Sequence, residues 1–161
     1  MAKEPTNLST APQTSMLTEL WYCEAETPTS SKPLKQIFYV QEIPKLVSPK
    51  DPVTYGCLEN DEEGSAKGMR KAETLSISVL YEETQSDAVN TLAESNTALW
   101  WFVKLPDSTA STTNKPLVYK FKADVDLAND TISVGDMLKE TITLYKQSKV
   151  TRMKGLPTVA G

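Results

Sequence analysis

Leu117-Val118-Tyr119-Lys120-Phe121-Lys122-Ala123-Asp124-Val125-Asp126-Leu127 is the stretch on which the reading of this chain turns. Leu117, Tyr119, Phe121, Ala123, Val125 and Leu127 point one way; Val118, Lys120, Lys122, Asp124 and Asp126 point the other. Successive side chains of a strand leave on opposite faces, so this alternation predicts a long strand with one face buried and one wet.

Working upstream, Ala98 to Leu105 is a nearly continuous apolar strand closed by Pro106, and residues 106–116 are a Ser/Thr-rich exposed loop closed by Pro116. Trp100 and Trp101 are neighbours on that strand and must face opposite ways. Both faces are then covered, by core on one side and by a helix, a second sheet or another subunit on the other. Before it, Ser86 is placed to cap a short helix with Asp87 in the first turn and Val89, Leu92 and Ala93 on one face, ending near Asn96. Thr74 to Tyr81 alternates as a half-buried strand, with Leu75, Ile77, Val79 and Tyr81 on one face. Leu20 to Ala25 and Gln36 to Ile43 read as two more strands, broken apart by Pro28, Ser30-Ser31 and Pro33.

Downstream, Asn129-Asp130 and Gly135-Asp136 mark turns, and Glu140 to Tyr145 is the last alternating strand. Two regions carry no period. In 44–71, Pro44, Pro49 and Pro52 and then Gly56, Gly64 and Gly68 interrupt every pattern, around an acidic knot of Glu59, Asp61, Glu62 and Glu63. A long structureless connection inside a domain is usually functional or disordered. From Lys146 onward come Lys149, Arg152 and Lys154 with no acid between them.

Strands, one helix, then strands again predict a mainly β fold, an antiparallel sandwich or barrel with one short packed α-helix. The expected division is an N-terminal arm over 1–18, a β domain over 19–145 that includes the long loop 44–71, and a basic C-terminal arm over 146–161; both arms are expected to be mobile.

Composition narrows the function. Hydrophobic residues make up 39% and charged residues 24% of 161 residues, the balance of a globular chain. Thr, at 19 residues, suits strands, and Ser, at 14, suits loops. The net charge of −4 offers no general attraction to nucleic acid or an anionic membrane. No apolar run is long enough to span a bilayer, and no secretory signal is expected behind Met1-Ala2-Lys3-Glu4. The sequons at Asn7 and Asn129 carry no information without that route, and Cys23 and Cys57 are expected to stay reduced in a cytoplasm where the chain is made.

Histidine is absent. That removes the commonest general base, the Ser–His and Cys–His pairs and the commonest metal ligand, so neither catalysis nor a cofactor is expected. Carboxylates remain: Glu82-Glu83 and the pair Asp124/Asp126 are read as solvated or intersubunit faces, with a glycosidase-like pair as the competing reading. Gly64-Ser65-Ala66-Lys67-Gly68 lacks the spacing and setting of a phosphate loop. The basic C-terminal segment offers phosphate-binding charge without aromatic platforms, which favours a protein contact over nucleic acid.

With these elements in order, the stretch from Glu73 to Gly155 resembles the major tail proteins, or tail tube proteins, of long-tailed phages. The matching features are the alternating strand Thr74–Tyr81, the helix Ser86–Asn96, the apolar strand Ala98–Leu105, the Ser/Thr-rich loop and the strand Leu117–Leu127. Ser133-Val134-Gly135-Asp136 leading to Glu140–Leu144 looks like the end of that family's domain, and Gln36–Ile43 with the loop 44–71 like its strand pair and inter-ring loop.

The resemblance implies a subunit whose hexameric rings stack into a tube. Its partners would be copies of itself, terminator, tape measure and distal tail proteins, and DNA passing without specific binding. Its place would be the tail of a virion, away from any membrane. Under this reading Lys120, Lys122, Asp124 and Asp126 are the candidate lumen face. The candidate inter-ring contacts are Pro44, Leu46, Val47, Val53, Glu59, Asp61, Glu62 and Glu63 on the loop, with Lys146, Lys149, Arg152 and Lys154 on the arm. The competing reading is a β-sandwich receptor- or carbohydrate-binding module.

Overall fold

The computed structural model describes residues 16–59, 62–71, 73–106 and 115–159. Its elements in chain order are β1 (Glu19–Cys23), β2 (Lys35–Ile37), β3 (Val40–Glu42), β4 (Pro52–Tyr55), β5 (Gly64–Lys67), β6 (Thr74–Leu80), α1 (Glu83–Ser95), β7 (Leu99–Lys104), β8 (Leu117–Asn129), β9 (Lys139–Lys146) and β10 (Thr151–Lys154). The expected mainly β fold with one short helix is what forms, and every described strand pair is antiparallel.

The main sheet runs β2-β1-β7-β8-β9-β6-β3. Its two ends, β2 and β3, are separated in sequence only by Phe38 and Tyr39, so one extended run from Lys35 to Glu42 borders both ends. The sheet must therefore curl round on itself, which brings its two end strands together without a ladder between them. At the crossing Tyr39 adopts φ 60°, a left-handed conformation that costs a bulky residue energy. Its surroundings hold it there. The Leu80 amide donates to the Tyr39 carbonyl at 3.0 Å, and the Gln85 side chain brackets Phe38, accepting from its amide at 2.7 Å and donating to its carbonyl at 3.0 Å.

Inside the curl lies one apolar core built from the alternating positions: Leu20, Ile37, Leu75, Ile77, Trp101, Phe121, Val125, Ile142 and Leu144 among them. Helix α1 packs against β8 and closes this core with Val89, Leu92 and Ala93, the face read from the sequence. The helix begins earlier than expected, however. Glu82 is its N-cap, accepting from the amides of Thr84 and Gln85 at 3.1 and 2.8 Å. Ser86 lies inside the first turn, and its hydroxyl donates to Glu140 at 3.1 Å. A carboxylate that satisfies two orphan amides at the positive end of a helix outcompetes a hydroxyl one turn later. The same contact explains how Glu140, on β9, is tolerated in a buried position.

Two expectations about irregular chain are corrected. The stretch 44–71 contains a β-hairpin: β4 and β5 pair as a separate ribbon, Val53 opposite Ala66 and Tyr55 opposite Gly64. A Cβ on Gly64 would meet the Tyr55 ring at 2.3 Å. The glycine that looked like a breaker is the seat of a cross-strand aromatic. The arm 146–161 is likewise part of the sheet from Thr151 to Lys154. β10 pairs with Leu117–Lys120 of β8 on the edge where β9 pairs with Ala123–Asn129, so β9 and β10 share one lane. Between them Gln147–Val150 leave the ladder, with Val150 packed against the core. The Gln147 amide donates to the Lys122 carbonyl at 2.8 Å, and the Lys122 amide to the Ser148 hydroxyl at 2.8 Å. Met153 anchors the lane by packing on Phe102, Val118 and Cys23.

Candidate assembly surfaces

The outer face of the sheet divides into two halves. Paired across strands on that face are Trp21 with Phe102, Trp100 with Lys122, and Phe102 with Lys120. Here a second apolar cluster of Cys23, Phe102 and Val118 is covered by Trp21, Leu34, Trp100, Met153 and Leu156. Farther along, Asp124 faces Tyr145 and Asp126 faces Thr143, while Thr143 also faces Ser76 and Thr141 faces Ser78. That half is hydroxylated and acidic.

The four residues proposed as a channel face do lie together on this outer side of β8, opposite the core. Their environments differ. Lys120 pairs with Glu26 and sits 5.0 Å from the Trp100 ring; Lys122 sits 5.9 Å from the same ring. An ammonium group over an aromatic face is attracted by the ring's negative quadrupole. Asp124 and Asp126 instead accept from the amides of Val125 and Leu127 at 2.9 and 2.8 Å. Of the two tryptophans, Trp101 is fully buried, 5.4 Å from the Tyr22 ring, with its indole N–H donating to the Ala123 carbonyl at 3.3 Å. Trp100 is half-buried, packed against the second apolar cluster with the two lysine ammonium groups over its ring.

The proposed contact residues fall into two places. Val53, Glu59, Glu62 and Glu63 are exposed on the β4–β5 hairpin, which is joined to the rest at its stem. Asp61 lies outside the described residues. At the stem, the Asp51 amide donates to the Met69 carbonyl at 3.2 Å, and Asp51 pairs with Lys71 at 3.8 Å. Leu58, on the hairpin's far end, is fully exposed. Leu46, Val47, Lys146, Lys149 and Arg152 meet elsewhere, around an open cleft of 1160 Å³ that separates the hairpin's stem from the β9–β10 lane. Lys45, Lys50, Arg70 and Lys71 join its rim, and among the described residues no acidic side chain lines it. Leu46 packs on the core and its carbonyl accepts from the Lys146 ammonium at 2.8 Å, which ties the cleft's two walls together. Pro44 and Lys154 stand outside the cleft.

Sequence reading found the acids and the four C-terminal cations but missed Lys45, Lys50, Arg70 and Lys71 as their companions. The signal was there: these cations flank the hairpin on both sides, and a hairpin brings its two flanks together. The two cysteines are unpaired, Cys23 buried and Cys57 exposed. Among the described residues no helix is long and apolar enough to cross a membrane.

No family model and no curated protein matches the chain. Among solved structures, it is similar to a chain of the anti-feeding prophage baseplate, determined by cryo-electron microscopy with six-fold symmetry imposed. The TM-score is 0.64 and the identity 14%, over 90% of this chain and 97% of that one. At that identity the likeness establishes a shared fold, and it extends over almost the whole of both chains.

Proposed function

We propose that this chain is a structural subunit of a phage-tail-like assembly, a tail tube protein whose copies form rings, of six by analogy, that stack into a tube for DNA. The observation that carries the reading is the full-length likeness of fold to a chain of a prophage baseplate. The assembly surfaces support it. The hairpin presents acids at its far end, the cleft at its stem is lined by cations, and neither is covered by the described residues. Two unlike, complementary surfaces on one chain make a head-to-tail contact, and such contacts propagate into filaments. Exposed ion pairs are worth about 0–1 kcal/mol each, so they steer register while apolar residues such as Leu58 and Val53 hold. The hydroxylated and acidic half of the outer face suits a wall past which DNA slides without sticking. The role is structural rather than catalytic, and its place is the virion tail among other tail proteins.

Electron microscopy of concentrated purified protein tests this: rings and tubes are expected. Discrete particles at every concentration would overturn the reading in favour of a binding module. Replacing residues 52–67 by Asn-Gly should leave folded subunits that no longer elongate, since the cut leaves Leu46 on the core.

A further inference from the structure

Strand β10 has β8 on one side and, among the described residues, no strand on the other. Which of its backbone groups face that open side follows from the ladder. The Gly155 amide donates to the Pro116 carbonyl at 2.8 Å. In an antiparallel pair, residues that exchange hydrogen bonds alternate with residues that do not. Met153 opposite Val118 and Thr151 opposite Lys120 are then the bonded pairs, and Arg152 and Lys154 turn their amides and carbonyls outward. This unpaired edge borders the cationic cleft, whose lining includes Arg152. An exposed strand edge invites an added strand. Backbone donors and acceptors in that spacing complement a peptide rather than a phosphodiester, and the cleft's charge asks for an acidic one.

The chain itself carries such a segment. Among the described residues β5 is an exposed strand paired with β4 alone, its outer edge is free, and Glu62 and Glu63 lead into it. Gly64, Ser65 and Ala66 are small enough to enter a cleft walled by Leu46, Val47 and Tyr119. On the other edge of the hairpin, β4 begins with Pro52, which has no amide to donate.

We propose that β10 of one copy takes β5 of the next copy as an added strand, with Glu62 and Glu63 seated against Lys50, Lys149 and Arg152. This rests on the head-to-tail reading above and specifies which strands meet in it. The contact joins the two curled sheets through backbone bonds, giving each junction a defined register that side-chain charges alone would not impose.

Disulfide trapping tests it in full-length protein carrying Cys57→Ser. Paired strands hold facing Cα atoms about 4.5–5.5 Å apart, within disulfide reach. Protein with Arg152→Cys is mixed with protein carrying Ser65→Cys, Ala66→Cys or Lys67→Cys and oxidised mildly. At least one mixture should yield about tenfold more covalent dimer than either protein alone. In parallel, Lys149→Glu with Arg152→Glu should lower sedimentable polymer about tenfold. Adding Glu62→Lys and Glu63→Lys to the same chain should restore it. Tubes with trapped dimers and charge-swap rescue support both the pairing and the tube. Tubes with no trapped dimer in any mixture overturn the strand pairing and leave the tube standing. Trapped dimers from a protein that never exceeds discrete particles support the pairing and overturn the tube. Monomers with no trapped dimer overturn both.

Discussion

The curled sheet and the β4–β5 hairpin are both antiparallel β structure made by one chain, yet they are held in opposite ways. Every described buried hydrophobic residue belongs to the sheet, its helix or the turns between them. In the hairpin, each strand residue is exposed save Gly64, which lies half-covered against Tyr55. A two-stranded ribbon without a packed face is marginal in water. Folding free energy therefore resides in the sheet, and the hairpin is retained by its stem. On the proposed assembly the hairpin is the contacting element, because its bare apolar and acidic side chains add little within the subunit.

The largest effect that separates the regions comes from truncation in the sheet. Trp101 is fully buried between β1 and β8 and spends its indole N–H on the Ala123 carbonyl. Trp101→Ala should cost about 3–5 kcal/mol, read as a lower denaturant midpoint. A loss under about 1 kcal/mol would show that the core is not where the stability lies.

A smaller effect is expected where the sheet closes. Gln85 supplies both hydrogen bonds that the Phe38 peptide loses as the chain passes from β2 to β3. Gln85→Ala should cost about 1–3 kcal/mol and speed hydrogen exchange at the Phe38 amide. Slow exchange with unchanged stability would mean that the closure does not depend on this clamp.

These two residues also mark what was legible in the sequence. The strand that holds Trp101 was, as a nearly continuous apolar run, and a period of two located β6, β8 and β9 within a residue or two. Gln85 was not. Its partner lies 47 residues away, and nothing local announces a glutamine that will mimic a peptide group. The run Gln36–Ile43 read as one strand because its composition is continuous; it is split because it serves two neighbours at once. β4, β5 and β10 were missed for a related reason. Pro-Val-Thr-Tyr, Gly-Ser-Ala-Lys and Thr-Arg-Met-Lys bury too little to impose alternation, and their pairing is set by cross-strand partners such as Tyr55 over Gly64 or Met153 on Val118. The candidate site was half legible for the same cause: charges can be read along a chain, whereas the cleft that gathers them depends on the hairpin stem and β10.

The charge dependence of the sheet's own parts should be milder. The Gln85 and Thr84 amides hold the Glu82 carboxyl below its ordinary value of 4.5. A carboxyl with a lowered pKa stabilises the fold above its unfolded value, and that contribution is lost as pH falls through 4.5 toward the folded value. Burial, with Glu24 nearby, pushes the Tyr22 hydroxyl above its ordinary 10.0, so its contribution is full below that pH and is lost above it. Glu82→Gln should destabilise near neutrality and progressively less in acid, while Tyr22→Phe should flatten the alkaline limb. Parallel pH profiles for wild type and Glu82→Gln would show that the cap does not act through its charge.

The smallest effect, and the one that tests the contrast most sharply, belongs to the hairpin. Val53 and Tyr55 are 54% and 55% exposed and belong to neither apolar cluster of the sheet. Tyr55 does cover Gly64, so Tyr55→Ala uncovers a glycine and loosens the ribbon without opening a cavity in the core. Subunit stability should move by no more than about 0.5 kcal/mol for Val53→Ser, and by little more for Tyr55→Ala, in a global unfolding transition. Hydrogen exchange should already be fast in the wild type at 52–55 and 64–67, and faster still in Tyr55→Ala, with the amides of β6 to β9 unchanged. If the hairpin is the contact device, the same substitutions should weaken self-association measured by sedimentation while leaving the monomer's midpoint in place. A fall in the global midpoint comparable to that of Trp101→Ala would mean that the hairpin folds as part of the core, and the division between a stabilising sheet and a contacting arm would collapse.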